Sequence, residues 1–131
     1  MEYAKLGKSG IEVSRLCVGC MSFGRPSEDF HEWTLNPNET EEIVKKALDL
    51  GINFFDTANT YSHGTSEEYL GRALKKNIAR NKVVIGTKVY FNEGHLSKEA
   101  VRREIDGSLK RLGTDYVDLY IIHRFDYTTP I

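Results

Sequence analysis

The fold is decided by a segment spanning residues 52–88, which reads INFFDTANTYSHGTSEEYLGRALKKNIARNKVVIGTK. Residues 52–56 contain Ile52, Phe54 and Phe55 in a short segment, which predicts a β-strand. A helical pattern with one apolar face begins at Thr65 or Ser66, and the β-branched run at residues 83–88 predicts the next strand. A strand, a helix and a strand in this order predict two parallel strands joined by a right-handed crossover.

The same alternation continues on both sides of this segment. Upstream, Asn38 and Glu41 have the spacing of a capping box, and Gly51 supplies a helix stop. Downstream, Ser97 predicts the start of a helix and Gly113 its end. The complete prediction is a hairpin at residues 3–6 and 11–13, strands at residues 16–20, 52–56, 83–88 and 116–123, and a helix in each of the three intervening segments.

Two architectures, an open doubly wound sheet and a closed barrel, share this alternation. A nucleotide-binding open sheet ordinarily carries a glycine-rich phosphate motif between its first strand and first helix. Gly19 and Gly24 occupy that region, but their spacing fits neither G-x-G-x-x-G nor a P-loop. The sequence therefore favours an α/β barrel, with a long loop at residues 21–37 after the first strand.

The composition predicts a single globular domain over residues 1–131. Lys and Arg number 18 and Asp and Glu number 19, so the net charge of −1 gives no support for nucleic acid or an anionic membrane as a partner. The sequence shows neither a signal-like start nor an apolar run of bilayer length. We therefore expect a cytoplasmic protein without a membrane partner.

The only two cysteines, Cys17 and Cys20, form a C-x-x-C pattern. A redox pair of this spacing opens a helix, and a structural zinc site needs about four ligands. Both cysteines lie instead in a predicted strand, and the four histidines share no metal-ligand spacing. We interpret the cysteines as small buried hydrophobic residues on opposite faces of the strand, and we expect no metal site.

Ionisable residues end three successive predicted strands, namely Asp56, Lys88 and His123. Tyr61 follows Asp56 in the next loop. Because the carboxyl ends of parallel strands meet at one edge of a sheet, we expect these four side chains at one mouth. Each alone has an ordinary structural explanation, such as a turn residue or a solvated lysine, and it is their coincidence that indicates a functional site.

These residue types form a coherent set for reducing a carbonyl group. A tyrosine hydroxyl is an inefficient acid near neutral pH, and a neighbouring ammonium such as that of Lys88 favours its ionised form. Asp56 can pair with Lys88, and His123 can orient a carbonyl oxygen. The hydride must come from a cofactor, because no side chain supplies one.

Three stretches of the chain resemble a known family. Residues 56–74 (DTANTYSHGTSEEYLGRAL) resemble the aldo-keto reductase signature, and residues 86–89 (GTKV) and 108–120 (SLKRLGTDYVDLY), followed by His123, agree with it. Together they cover most of the chain in the family's order. The resemblance implies an α/β fold made of the first four βα units of a TIM-type (β/α)8 barrel, preceded by an N-terminal hairpin that closes the barrel floor.

The same resemblance implies NADPH-dependent reduction of an aldehyde or ketone to an alcohol. Tyr61 would be the proton donor, and Lys88 would tune it. Asp56 would anchor Lys88, and His123 would orient the substrate carbonyl.

The resemblance also assigns residues to the cofactor and the substrate. Gly19, Cys20 and Met21 match positions near the nicotinamide end, and Asp56 lies near the cofactor ribose. Trp33 falls in the loop that builds the substrate pocket in this family, and Tyr61 and His123 would also line that pocket. The preference for NADPH over NADH rests on the resemblance alone, and the residues do not name the substrate.

A barrel of this type ordinarily has eight strands and about 250 residues. A chain of 131 residues is therefore expected to form an incomplete barrel, with two open sheet edges and an uncovered inner face. We expect such a chain to self-associate or to recruit a complementing chain.

Two other functions fit the same residues. Lys88 could form a Schiff base in an aldolase-like lyase, although a lysine paired with Asp56 stays protonated and is a poor nucleophile. The chain could also be a non-catalytic binding or regulatory subunit with the same fold.

Overall fold

The structure is a computed structural model that describes residues 1–131. Three helices and six strands make up its regular structure, with two short 3₁₀ turns at Tyr61–Gly64 and Arg80–Lys82. The strands are β1 (Tyr3–Lys5), β2 (Glu12–Ser14), β3 (Val18–Gly19), β4 (Phe54–Asp56), β5 (Val84–Val89) and β6 (Leu119–Ile122), and the helices are α1 (Pro37–Asp49), α2 (Thr65–Asn77) and α3 (Lys98–Leu112).

The sheet topology is that of a barrel. Strands β1 and β2 form the predicted antiparallel hairpin, and the other four strands form a parallel sheet in the order β3-β4-β5-β6. A doubly wound sheet reverses its strand order at a switch point, and this sheet does not. The helices also pack side by side, α1 on α2 and α2 on α3, as they do on the outside of a barrel. The barrel prediction is therefore confirmed.

Three helices accompany the four parallel strands. Four complete βα units would contain a fourth helix after β6. The residues after β6 form turns around Asp126. Its carboxylate accepts hydrogen bonds from the Thr128 amide at 2.9 Å and from the Thr129 hydroxyl at 2.6 Å.

Helix α1 begins earlier than predicted. Its N-cap is Asn36, whose side chain accepts from the amides of Asn38 and Glu39, while the Glu39 carboxylate accepts from the Asn36 amide at 2.9 Å. The prediction of Asn38 as the cap is wrong because Pro37 takes the first helical position, where its missing N–H costs nothing. Helix α3 is capped by Ser97 and ends at Gly113, as predicted.

The hydrophobic core lies between the outer face of the sheet and the three helices. Phe55 and Ile85 project outward from β4 and β5 and are almost completely buried. Helices α2 and α3 approach closely because Gly71 has no side chain, since a Cβ atom there would collide with the Leu112 carbonyl. The core also contains Cys20, Phe23, Val44, Ala47, Leu70, Ala73, Leu74, Val83 and Leu112.

The first parallel strand is shorter than predicted, and its two cysteines differ. Cys20 is fully buried in the core, whereas Cys17 is exposed, and both are free thiols. The prediction of two buried cysteines is wrong for Cys17. Its side of β3 faces the inside of the barrel, where no element of this chain covers it.

Strands β3 and β6 each pair with a single neighbour, so both edges of the parallel sheet are open. Self-association or a complementing chain stays a prediction, which sedimentation of the purified chain can check. None of the three helices is both long enough and apolar enough to cross a bilayer.

Candidate active site

The centre of the candidate site is the ammonium group of Lys88, near the carboxyl end of β5. Its Nζ donates to Asp56 Oδ2 at 2.8 Å, to the Thr57 carbonyl at 2.9 Å and to the Tyr61 hydroxyl at 3.1 Å. The side chain of Lys88 is only 14% exposed, so these bonds replace much of its hydration. Three of the four predicted site residues therefore meet at one atom.

Parallel pairing of the strands brings Asp56 and Lys88 together. Asp56 pairs with Gly86 in the β4–β5 register, so Lys88 lies two residues further along β5 on the same face. Gly86 leaves room between them, since a Cβ atom there would lie 3.6 Å from Asp56 Oδ1. The lysine side chain can therefore extend past Gly86 to the carboxylate.

Tyr61 reaches the site through an unusual turn. It opens the 3₁₀ segment, and the next two residues, Ser62 and His63, have left-handed backbones with φ of 47° and 55°. Non-glycine residues adopt this conformation at a cost, and such strain is characteristic of functional turns. The loop after β3 packs on this turn: Gly24 lies against the Ser62 side chain, and Asp29 pairs with His63 at 3.2 Å.

His123 follows β6 and completes the group. Its ring lies edge-on to the Tyr61 ring, with centroids 5.7 Å apart, and its amide donates to the Val89 carbonyl at 3.0 Å. The Nδ1 atom is buried and has no hydrogen-bond partner. All four predicted residues thus share one mouth, and His123 has bonding capacity that the fold does not use.

The two basic residues of the site, Lys88 and His123, differ in the direction in which the fold shifts their pKa. Burial alone would lower the pKa of Lys88, but its hydrogen bonds to Asp56 and Tyr61 outweigh burial and raise the pKa above its ordinary value. Burial lowers the pKa of His123, and the positive charges of Lys88 and Arg124 act in the same direction. Near neutral pH the site therefore contains an ammonium and a neutral imidazole.

The three predicted cofactor residues at the end of β3 differ in their exposure and bonding. Gly19 pairs with Asp56 across β3 and β4, and a Cβ atom at Gly19 would meet nothing within 4 Å. Met21 is exposed. Cys20 is instead part of the core: its amide donates to the Asp56 carbonyl at 2.8 Å and its carbonyl accepts from Ser66 Oγ at 2.6 Å.

The predicted pocket residue Trp33 lies in the loop that packs against the Tyr61 turn. It is 57% exposed and stacks on His31 with a centroid distance of 4.4 Å. A second aromatic ring beside His123, besides that of Tyr61, is Phe91, at a centroid distance of 5.1 Å. Phe91 was not predicted, although an aromatic residue close to the end of a strand is a signal for a pocket wall.

The contributions of Thr57 and of the first turn of α2 were not predicted either. Thr57 follows Asp56, and its carbonyl accepts from Lys88, a role that no side-chain pattern reveals. Glu67 is completely buried and bonds to both Thr87 and Arg111. No group of three or more His, Cys, Asp or Glu residues is arranged to hold a metal ion.

Two relatives match almost the whole chain in sequence. Versiconal hemiacetal acetate reductase from Aspergillus parasiticus is 43% identical over 99% of this chain and 44% of its own length. A probable voltage-gated potassium channel subunit beta from Oryza sativa subsp. japonica is 37% identical over the whole chain and 40% of its own length. The chain therefore spans less than half the length of these relatives.

Solved structures give the same result. A thermostable aldo-keto reductase in complex with the inhibitor epalrestat is 34% identical, with a TM-score of 0.84 over 99% of this chain and 45% of that one. An aldo-keto reductase from Klebsiella pneumoniae in complex with NADPH is 30% identical, with a TM-score of 0.73 over 89% of this chain and 38% of that one. The sequence model of the Aldo/keto reductase family matches residues 15–131. With the parallel sheet and its helices, these matches show that the chain belongs to the aldo-keto reductase family.

Proposed function

We propose that the mouth formed by Asp56, Tyr61, Lys88 and His123 reduces an aldehyde or ketone to an alcohol with NADPH. The observation that carries the proposal is the Lys88 ammonium, which bonds to both the Asp56 carboxylate and the Tyr61 hydroxyl. The membership of the family supports the reaction class, and the NADPH complex of a related structure supports the cofactor.

The residues present fit the nicotinamide end of the cofactor. Gly19 leaves open space beside Asp56, where a flat ring can approach the strand end. We assign Gly19, Met21 and Asp56 to hold this end, with Cys20 acting through the position of its backbone. Bound NADPH would supply the hydride that adds to the carbonyl carbon.

Tyr61 would supply the proton in this reaction. As the carbonyl oxygen gains negative charge, the Tyr61 hydroxyl transfers its proton to that oxygen, and the product is the alcohol. The resulting phenolate is stabilised by the Lys88 ammonium, whose Nζ already lies 3.1 Å from the hydroxyl. Asp56 holds Lys88 in its charged state and in this position.

His123 would orient the carbonyl group. Its lowered pKa keeps the imidazole neutral, so the ring can donate one hydrogen bond without adding a second positive charge beside Lys88. Phe91, at 5.1 Å from the His123 ring, would form an apolar wall for the substrate. Aromatic walls with few polar groups are typical of small-molecule pockets.

The lyase alternative finds less support. A Schiff-base lysine must lose its proton before it attacks a carbonyl carbon, whereas the Lys88 ammonium has three acceptors and a raised pKa. Borohydride trapping of a carbonyl compound on Lys88 would favour the lyase. A non-catalytic role is favoured if the chain binds a protein partner but neither binds nor oxidises NADPH.

The proposed reaction is tested by following NADPH oxidation with a panel of aldehydes and ketones. The Tyr61→Phe variant keeps the ring beside His123 but loses the proton, so we expect kcat to fall by roughly 100-fold or more. Tyr127→Phe is the matched control, because Tyr127 is 93% exposed, and its rate should equal that of the wild type. A wild-type rate in Tyr61→Phe would refute Tyr61 as the proton donor.

A further inference from the structure

The first turn of α2 contacts the outer side of three strand ends that carry the candidate site. Ser66 Oγ donates to the carbonyl of Cys20, which follows β3, and lies 3.0 Å from Thr57 Oγ1, which follows β4. Thr87 Oγ1, on β5, donates to Glu67 Oε1 at 2.6 Å. We call the four residues Thr57, Ser66, Glu67 and Thr87 the polar clamp.

Every member of the polar clamp is buried: the exposed fraction of Thr57, Ser66, Glu67 and Thr87 is 0% in each case. The charge of Glu67 is compensated, because its second oxygen accepts from Arg111 Nε at 2.6 Å. A buried, fully bonded carboxylate often contributes no more to the free energy of unfolding than well-packed apolar residues of similar volume would. Such networks instead fix one arrangement of the groups they join.

Two residues of the polar clamp are next to residues of the candidate site in the sequence. Thr57 follows Asp56, and Thr87 precedes Lys88. Because neighbouring side chains of a strand point to opposite faces, a bond on the outer face through Thr87 fixes the rotation of β5 about its axis. That rotation sets the direction in which Lys88 leaves the inner face.

We propose that Glu67, acting through Thr87, is a positioning residue that holds the Lys88 ammonium against Asp56 and Tyr61. Arg111, at the end of α3, anchors Glu67, so the position of the ammonium depends on the packing of α3 as well as α2. The role rests on the proposed function, in which Lys88 assists proton transfer from Tyr61.

The test replaces Thr87 and reads Lys88 directly by NMR of lysine labelled at Cε and Nζ, with the Lys88 signal assigned from Lys88→Arg. Thr87→Val keeps the shape of the side chain and removes the donor. We expect the pKa of Lys88 to move down towards its ordinary value and kcat to fall roughly 10-fold to 100-fold, with KM little changed. Thr87→Ser, which retains the hydroxyl, should restore both readouts.

Thr40→Val is the matched control. Thr40 is also fully buried, and its hydroxyl donates to the Leu35 carbonyl at 3.5 Å, a bond that involves no residue of the polar clamp. This variant should lower stability and leave the Lys88 titration unchanged. If Thr87→Val does not fold, Thr87→Cys, which keeps a weak donor, replaces it and should shift the Lys88 titration in the same direction.

The outcomes separate the positioning role from the proposed function. A folded Thr87→Val with the wild-type Lys88 titration and wild-type kcat overturns the positioning role, whatever the wild type reduces. A different outcome would overturn the reductase proposal alone. In that case the wild type oxidises no NADPH, but its Lys88 titration still shifts in Thr87→Val and recovers in Thr87→Ser, which supports the positioning role of the polar clamp.

Discussion

A largely buried ion pair lies at each end of β5, and the two pairs differ in their other hydrogen-bond partners. Arg80 and Asp118 lie 2.7 Å apart near the amino end of the strand, with side chains 22% and 16% exposed. Lys88 and Asp56 lie 2.8 Å apart near the carboxyl end, with side chains 14% and 32% exposed. Distance and burial alone therefore do not separate them.

The Arg80–Asp118 and Lys88–Asp56 pairs differ in the other groups to which they are hydrogen-bonded. At the amino end, Arg80 also donates to two backbone carbonyls and to Thr114, and Asp118 accepts from the Ile85 amide. At the carboxyl end, Lys88 donates to one backbone carbonyl and to the Tyr61 hydroxyl, and the nearby His123 has a buried nitrogen without a partner. Polar groups satisfied by the backbone hold the fold together, and polar groups with unused capacity mark the candidate site.

The largest expected effect comes from replacing the cation at each end. Arg80→Met leaves Asp118 unpaired in a buried setting and should lower the free energy of unfolding by about 3 kcal/mol. Lys88→Met leaves Asp56, which is more exposed, and should cost about half as much stability while abolishing NADPH oxidation. Urea unfolding and the NADPH assay measure the two effects.

This contrast fails if Lys88→Met retains activity, or if it destabilises the chain more than Arg80→Met does. Either result would mean that the carboxyl-end pair is mainly a structural pair, like its counterpart at the amino end.

A smaller effect concerns pH. Because the pKa of His123 is lower in the folded chain, the unfolded chain takes up a proton first as the pH falls below about 6.5, the ordinary histidine value. The contribution of His123 to stability is therefore complete above that pH and decreases as the pH falls towards its folded pKa. Unfolding of the wild type and of His123→Gln between pH 5 and 8 should show a shallower acid loss in the variant. Parallel pH curves for the two proteins would argue against a depressed pKa.

Local sequence patterns predicted most of the elements, but they predicted the start of α1 two residues too late. Both Asn36 with Glu39 and Asn38 with Glu41 have the capping-box spacing. Pro37 favours the earlier start because it is suited to the first helical position. The strand ends that carry Asp56 and Lys88 were predictable because an ionisable residue directly after an apolar run is a local signal.

The features that were missed depend on contacts between distant parts of the chain. Glu67 appears in the sequence as one of two acids near a helix start, and only the packing of α2 on β5 and α3 shows that it is buried. Cys17 has the pattern of a buried strand residue, but its burial depends on what covers the inner face. The pairing of Phe91 with His123 likewise requires the strand register.

The most direct test of the candidate site is a titration of the labelled chain with NADPH, followed by two-dimensional NMR of its backbone amides. We expect saturable shifts at the carboxyl end of the sheet, at Gly19, Asp56 and His123, and none at Arg80 and Asp118 near the other end. Shifts confined to the amino end, or no saturable shift at millimolar NADPH, would contradict the assignment of the nicotinamide site to this chain.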